Sequence, residues 1–268
     1  MTADIINKIR EKVKEEAPLI HSITNPISIN QCANAVLSLG ARPIMAEHPK
    51  EVMEITKSAK ALLLNLGNIT DVRMEAMKIS AVEASCQRIP FIIDAVGVAC
   101  SQLRRSYFKE LMSISRPAVI KGNYSEIMAL ASENYTSSGV DAESLLTKEN
   151  IGEVSCKLAR KLNTVILASG KTDIITDGKR ILHVNNGTAR LGKITGTGCM
   201  LGVIASVFLS AGSAFEAAFS AAAVLGICGE IACEEKGNGS FYVDLMDSLS
   251  LINDEDIKEK LKVEMIYE

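Results

Sequence analysis

The chain has 268 residues and a formal net charge of −3 at pH 7. With 47% hydrophobic and 23% charged residues, it has the composition of a folded globular protein rather than a disordered one. The nearly balanced charge gives no general attraction to nucleic acid or to an anionic membrane. We therefore expect no nucleic-acid or membrane partner. The length suits one large α/β domain or two small domains, and we predict a single domain over residues 1–268.

The cysteines and histidines predict neither a structural zinc site nor a disulfide framework. Seven cysteines include no C-x-x-C pair, and the three histidines lack the spacing of zinc ligands. The first 16 residues alternate charges along a helical pattern and contain no apolar core of a secretion signal. Both features favour a reducing compartment, so we expect a cytoplasmic protein.

Short β-rich runs alternate with helical patterns through much of the chain. The helical patterns include residues 71–88 and 142–162. The runs that predict strands are residues 19–24, 43–46, 62–66, 91–95, 118–121 and 164–168. Because these runs are continuously apolar, they predict a mostly parallel sheet covered by helices on both faces, an α/β fold of three layers.

A different pattern follows the last of these runs. Residues 173–176 and 180–184 flank the dipeptide Asp177-Gly178, which is typical of a turn between antiparallel strands. We expect a β-hairpin at one edge of the sheet.

The segment from residue 199 to residue 233 is almost free of charge, with Glu216 and Glu230 as its only charged residues. Gly212-Ser213 divides it into halves that are shorter than the ~20 residues of a membrane span. Both halves are apolar on most faces, which predicts two helices buried in a protein core.

Polar and glycine residues follow four of the predicted strands, where ligands gather in parallel sheets. They are Gly67-Asn68, Asp94, Gly122-Asn123 and Ser169-Gly170. Asn123 and Glu126 have the spacing of a helix capping box, which is a purely structural arrangement. Glu126 and Asp94 on one rim also suit a hydrated Mg²⁺ beside phosphates. Lys121 fits either a phosphate contact or a solvated strand end.

The run Thr195-Gly196-Thr197-Gly198-Cys199 is a glycine-rich turn that opens an apolar helix. Unpaired N–H groups and the helix dipole make such a corner suitable for a phosphate oxygen. A helix start also favours the thiolate form of a cysteine. The alternative is an ordinary strand-to-helix turn with a small buried cysteine.

The segment around residues 21–26 runs from a strand into a helix. Asn25 suits the N-cap and Pro26 the first helical position, while His21 is most simply a packed strand residue. Met45 at a later strand end is by default a filler of the core, although its thioether also suits an aromatic heterocycle.

Five segments, taken together in their order and spacing, resemble the hydroxyethylthiazole kinases. They are residues 21–26 with Asn30 and Asn34, then 40–46, 94–98, 121–126 and 195–199. The resemblance covers nearly the whole chain and implies a ribokinase-like fold. It implies ATP-dependent phosphorylation of the hydroxyl of 4-methyl-5-(2-hydroxyethyl)thiazole, a step of thiamine salvage. It also implies a homotrimer with active sites at subunit interfaces.

The resemblance assigns binding roles residue by residue. Met45 and Gly196 would contact the thiazole, with Asn25 nearby, and Lys121 and Ser169 would contact ATP. Lys121 stands where the family frequently has arginine, which exchanges a bidentate grip on phosphate for a point charge.

The resemblance also assigns the metal and the chemistry. Asp94 and Glu126 would organise Mg²⁺ and its waters. Cys199 would be the catalytic residue, at the place where related sugar and pyrimidine kinases carry an aspartate. Ala95 and Ala99 depart from the Pro and Gly that the family usually has in the loop after Asp94.

The same residues leave three alternatives open. One is a ribokinase-like kinase for hydroxymethylpyrimidine or a related alcohol, against which Cys199 and the segment 21–25 argue. Another is a nucleotide-dependent hydro-lyase on the same scaffold, which would not phosphorylate its substrate. The third is a catalytically silent nucleotide sensor, suggested by the absence of the usual aspartate.

Overall fold

The computed structural model describes residues 1–132, 147–232 and 237–267. Within those ranges the strands form one nine-stranded sheet in the order β2-β1-β3-β4-β5-β6-β7-β8-β9. The strands are β1 (Leu19–Ile23), β2 (Arg42–Ile44), β3 (Ala61–Asn65), β4 (Phe91–Asp94), β5 (Val119–Asn123), β6 (Val165–Ser169), β7 (Asp173–Thr176), β8 (Arg180–Val184) and β9 (Val263–Tyr267).

The first six strands pair in parallel, as the sequence predicts. Strands β3 and β4 are buried along their whole length, because helices cover both faces of the sheet. The predicted bounds of these six strands differ from the observed ones by no more than two residues at either end.

The other three strands are antiparallel. The predicted hairpin is confirmed as β7 and β8, joined by the turn at Asp177-Gly178, with Gly178 at φ +86°. Strand β9 pairs with the outer edge of β8, where Leu182 faces Met265. This strand was not predicted from the sequence, since it stands apart from the other β-rich runs, after the helices of residues 197–260.

Helices pack against both faces of the sheet, which confirms the three-layer architecture. The helices are α1 (Ala3–Glu16), α2 (Ile29–Ser38), α3 (Val52–Ser58), α4 (Asp71–Gln87), α5 (Gln102–Ile114), α6 (Tyr124–Ala131), α7 (Lys148–Leu162), α8 (Thr197–Leu209), α9 (Ala214–Ile231), α10 (Asn238–Leu251) and α11 (Asp254–Lys260). One hydrophobic core contains residues of α1, α2 and α8 to α11. The second core, on the opposite face, contains residues of α3 to α7.

The two apolar helices predicted after residue 199 are confirmed as α8 and α9. The Ser213 hydroxyl accepts a hydrogen bond from the backbone N–H of Glu216, and the Glu216 carboxylate accepts one from the backbone N–H of Ser213, so the second helix begins with a capping box. Helix α9 is long and apolar enough to cross a membrane, but 78% of its residues are buried inside the fold. Its composition is that of a core helix.

Helices α2 and α7 begin later in the chain than the sequence predicts. The prediction that Asn25 caps a helix beginning at Pro26 is wrong, because α2 begins only at Ile29. Asn25 Oδ1 instead accepts a hydrogen bond from the backbone N–H of Ser28 at 3.2 Å, which stabilises a turn before the helix. Helix α7 begins at Lys148, and the earlier part of the predicted helix over 142–162 lies outside the described residues, up to residue 146.

Candidate active site

The carboxyl ends of three neighbouring strands bring three polar side chains into contact. Asn65 on β3 lies opposite Asp94 on β4, and Asp94 lies opposite Lys121 on β5. All three are buried, with exposed fractions of 0% for Asn65 and Asp94 and 3% for Lys121. Parallel pairing in register is therefore what assembles this group of charges.

Asp94 and Lys121 form a buried ion pair, with 3.0 Å between Oδ1 and Nζ. Burial raises the pKa of Asp94, and the ammonium group of Lys121 opposes that rise. Burial acts to lower the pKa of Lys121, but the carboxylates of Asp94 and Glu126 outweigh it and raise that pKa. Lys121 therefore stays charged at neutral pH.

A chain of hydrogen bonds leads from this ion pair to Cys199. Asn65 Nδ2 donates to the second oxygen of Asp94 at 2.9 Å. Asn25 Nδ2 lies 3.5 Å from Asn65 Oδ1 and donates to Cys199 Sγ at 3.2 Å. The structure thus places the predicted residues Asn25, Cys199, Asp94 and Lys121 in one continuous network.

Asn65 is the member of this network that sequence reasoning missed. Its signal was present, because an asparagine interrupts the apolar run from Ala61 to Leu66 in a strand buried on both faces. A buried side-chain amide needs hydrogen-bond partners, and here they are Asn25 and Asp94, two of the predicted site residues.

The glycine-rich turn leads into helix α8 as the sequence predicts, and it lies beside this network. Gly196 has φ +94° and is the N-cap of α8, which begins at Thr197. A Cβ on Gly196 would lie 2.2 Å from Gln31 Oε1, so no side chain fits there. A Cβ on Gly198 would lie 3.7 Å from Lys121 Nζ. The lysine ammonium group therefore lies beside the first turn of α8.

A cavity of about 730 Å³ extends from this corner along α8 and α9. Ser169, Asp173 and Gly198 line its end near the strands, and Leu201 and Leu225 belong to its apolar wall. Ser169 Oγ donates to the carbonyl oxygen of Gly122 at 3.4 Å. A site with polar groups at one end and an apolar wall at the other suits a nucleotide.

A sequence profile of the hydroxyethylthiazole kinase family matches residues 10–255. The chain belongs to this family. "Hydroxyethylthiazole kinase 2" of Clostridium botulinum (strain Langeland) is 46% identical over 262 residues, which are 96% of this chain and 98% of that protein.

Solved structures agree with this family assignment. The structure of a hydroxyethylthiazole kinase protein from Pyrococcus horikoshii OT3 matches with a TM-score of 0.90 and 33% identity, over 98% of this chain and 99% of that one. A ribokinase-like superfamily protein from Enterococcus faecalis V583 matches with a TM-score of 0.62 and 14% identity, over 93% and 94% of the two chains. That second likeness shows a ribokinase-like fold.

The remaining family residues lie at the edges of this network. Met45 follows β2, is half-buried and packs against the first core. His21 Nε2 lies 2.9 Å from the carbonyl oxygen of Ala46, the residue that follows Met45. Because that carbonyl only accepts, Nε2 carries the hydrogen, and Nδ1 accepts from Thr56 Oγ1 at 2.9 Å in the neutral ring. Burial lowers the pKa of His21, so the ring stays neutral.

Glu126 occupies the capping box that the sequence predicts. Its Oε2 accepts from the backbone N–H of Asn123 at 2.7 Å, and its Oε1 accepts from that of Gly97 at 2.8 Å. Glu126 therefore has the helix-capping role that its spacing predicts, and its role in holding a metal ion stays a prediction.

The donor set fits a magnesium ion held through water. Each carboxylate oxygen of Asp94 and Glu126 accepts one hydrogen bond from the described residues and has a second lone pair for a metal-bound water. Across the described ranges, no three His, Cys, Asp or Glu side chains cluster as a direct metal site. Magnesium, which keeps several waters, suits such a pair of acids.

Proposed function

We propose that this chain transfers the γ-phosphoryl group of ATP to the hydroxyl of 4-methyl-5-(2-hydroxyethyl)thiazole. Membership of the family and the names of its relatives support the substrate and the reaction. The observation that carries the proposal is the position of Lys121 Nζ beside the first turn of α8, with Cys199 in that same turn. A phosphate group and an alcohol can meet there.

Lys121 supports phosphate binding at this corner. An ammonium group has three N–H donors, and among the described residues Asp94 is the one hydrogen-bond partner seen for Lys121. Two donors on a buried cation next to unpaired helix N–H groups suit phosphate oxygens. In this proposal ATP lies in the 730 Å³ cavity, with Ser169 near its phosphates.

Phosphoryl transfer passes through a loose transition state, so placement and charge stabilisation do most of the work. The N–H groups of Gly198 and Cys199 and the ammonium of Lys121 stabilise charge on the transferring oxygens. Asp94 and Glu126 would hold Mg²⁺ through its waters, and the ion would supply further positive charge. As the alcohol oxygen bonds to the γ-phosphorus, the bond from that phosphorus to the bridging oxygen breaks and ADP leaves; Cys199 Sγ aligns the alcohol as a thiol or accepts its proton as a thiolate.

A labelled-phosphate assay tests this proposal. We expect label from [γ-³²P]ATP to appear in hydroxyethylthiazole, to appear far less in hydroxymethylpyrimidine, and to vanish when EDTA removes Mg²⁺. Transfer to hydroxymethylpyrimidine alone would contradict the proposal and would indicate a kinase for that alcohol. Absence of transfer to any alcohol would favour the hydro-lyase or a silent nucleotide sensor.

We further propose a cytoplasmic homotrimer of single-domain subunits with active sites at the interfaces. Ile27, just before α2, and Leu37, near the C-terminal end of α2, are 65% and 56% exposed, and Met53 on α3 is 54% exposed. Exposed apolar residues near a site suit a subunit contact. Sedimentation velocity at micromolar concentration should give three times the mass of the chain, and a monomer would contradict the proposal.

A further inference from the structure

Two buried amides join the Cys199 side of the site to the Asp94 side, and neighbouring backbone groups fix their orientation. Asn25 Oδ1 faces the backbone N–H of Ser28 at 3.2 Å, and Asn65 Oδ1 faces that of Gly67 at 2.8 Å. A backbone N–H only donates, so each oxygen must point toward it. Each amide nitrogen then points along the network, one toward Cys199 and the other toward Asp94.

Gly67 provides the space in which these amides meet. A Cβ on Gly67 would lie 2.8 Å from Asn65 Oδ1 and 2.9 Å from Asn25 Nδ2. Its backbone has no left-handed φ, so the conformation itself accepts an alanine. The side-chain contacts alone therefore exclude a larger residue at this position.

We propose that Asn65 is a positioning residue for the phosphoryl transfer proposed above. It holds Asn25, and through it Cys199 Sγ, at a fixed place relative to the ion pair of Asp94 and Lys121. In-line transfer depends on the distance between the alcohol and the phosphoryl group, and an error of 1 Å costs about 100-fold in rate. Asn65 itself, wholly buried behind Asn25 and Asp94, acts through these neighbours.

Two variants interrupt the network in different ways. Asn65→Leu removes all three hydrogen bonds of the side chain, to Asp94, Asn25 and Gly67, and keeps the same number of side-chain heavy atoms. Gly67→Ala keeps both amides but inserts a methyl group between them. The matched control is Gly239→Ala on α10, where a Cβ would have no neighbour within 4 Å. Melting temperatures identify which variants fold. If Asn65→Leu does not fold, Gly67→Ala alone still tests the proposal.

We expect both variants to lower kcat by about 100-fold while the KM for ATP changes by less than about threefold, because the nucleotide cavity is untouched. Gly239→Ala should keep the wild-type values. A folded Gly67→Ala variant with wild-type kcat would overturn the proposal.

A second readout needs no substrate. The rate at which iodoacetamide alkylates Cys199, followed by mass spectrometry of its peptide, should change in both variants. Asn25 is then no longer held where it donates to Sγ, so the place and the immediate surroundings of the sulfur change. An unchanged rate would overturn the proposal. Since this measurement contains no alcohol, its result stands even if the protein phosphorylates a different substrate.

A double-mutant cycle separates positioning from simple loss of contacts. If Asn65 acts through Asn25, the double variant of Asn25→Ala and Asn65→Leu should lose no more kcat than the worse single variant. Loss equal to the product of the two single losses would show independent roles and would overturn the proposal.

Discussion

At the scale of single residues, Cys199, the proposed catalytic group, lies between a side-chain amide and the start of a helix. Its sulfur accepts a hydrogen bond from Asn25 at 3.2 Å and lies in the first turn of α8. A thiol is a weaker substitute for the aspartate of related kinases, but a loose transition state requires little help from a base. The reaction should therefore depend on this residue only in part.

We predict that Cys199→Ala lowers turnover about 10- to 100-fold and leaves measurable activity. The helix N–H groups and Lys121, which we propose stabilise the transferring phosphoryl group, are unchanged in this variant. Steady-state kinetics with ATP and the thiazole alcohol would measure the effect. Cys86→Ala, at an exposed position on α4, is the control and should behave like wild type. Unchanged turnover in Cys199→Ala would remove this residue from the mechanism.

Asp173, in the wall of the cavity, gives a prediction about pH. Burial raises its pKa from 3.8 to about 7, although the N–H of Gly170 and the charge of Lys121 oppose the rise. Between these two values the folded protein holds a proton that the unfolded chain has lost. The free energy of unfolding therefore falls as pH rises from about 4 to about 7.

Asp173→Asn should remove this contribution. We expect its melting temperature to change less between pH 5 and about 7.5 than that of the wild type. Glu75→Gln, an exposed position on α4, serves as the control and should follow the wild-type profile. Parallel profiles for Asp173→Asn and wild type would contradict the assigned pKa.

At the scale of elements, the glycine-rich turn and α8 form the part of the site with the most specific geometry. Gly196 is required for the backbone, because its φ is +94° and Gln31 occupies the place of a side chain. Gly198 lies inside the helix, where the protein itself leaves room for a methyl group. The two glycines therefore serve different purposes, one for folding and one for ligand approach.

Alanine substitutions should separate these purposes. Gly196→Ala should cost about 1–3 kcal/mol of stability from backbone strain and lower the melting temperature. Gly198→Ala should leave the melting temperature equal or higher, because alanine favours a helix. It should nevertheless reduce turnover more than Cys199→Ala does, since its methyl group occupies the place of the phosphate. A fully active Gly198→Ala would place the phosphate elsewhere.

The sequence predicts those elements whose causes are local. Apolar runs, the turn at Asp177-Gly178 and the capping box of Asn123 and Glu126 all depend on neighbours within a few residues, and all are confirmed. Strand β9 depends on an edge of β8 formed about 80 residues earlier, which no local pattern contains. Strand β9 therefore forms through pairing with a segment far away in the sequence.

The candidate site was likewise predictable where its residues belong to local motifs. Residues in recognisable motifs, such as Asp94, Lys121 and Cys199, were selected correctly as neighbours on one rim. Asn65 belongs to no such motif, and its role follows from the register of β3 against β4. The start of α2 was misplaced because Asn25 stabilises the preceding turn and reaches Cys199, and a capping pattern alone does not distinguish these uses.

At the scale of the whole molecule, one sheet connects the site to a distant edge. Strands β4 to β6 carry Asp94, Lys121 and Ser169, and the antiparallel strands β7 to β9 extend that sheet on one side. In β9 the side chains alternate, so that Met265 packs against the first core and Ile266 is 37% exposed. This edge should contribute to the stability of the sheet.

A matched pair of substitutions tests that contribution. Met265→Ser should lower the free energy of unfolding by about 1–3 kcal/mol, seen as a lower urea midpoint. Ile266→Ser, next in sequence on the same strand, should change it by less than about 0.5 kcal/mol. Equal effects would show that β9 does not pack in the observed register.

The late pairing of β9 also affects how the chain is made. In the chain β9 is separated from β8 by α8 to α11, so we expect the outer edge of β8 to lack its partner while those helices are being translated. An unpaired strand edge is a template for adding strands from other chains. Nascent copies on one messenger RNA are thus exposed to mutual pairing at β8 until residues 263–267 emerge, and this interval is where chaperone protection would matter most.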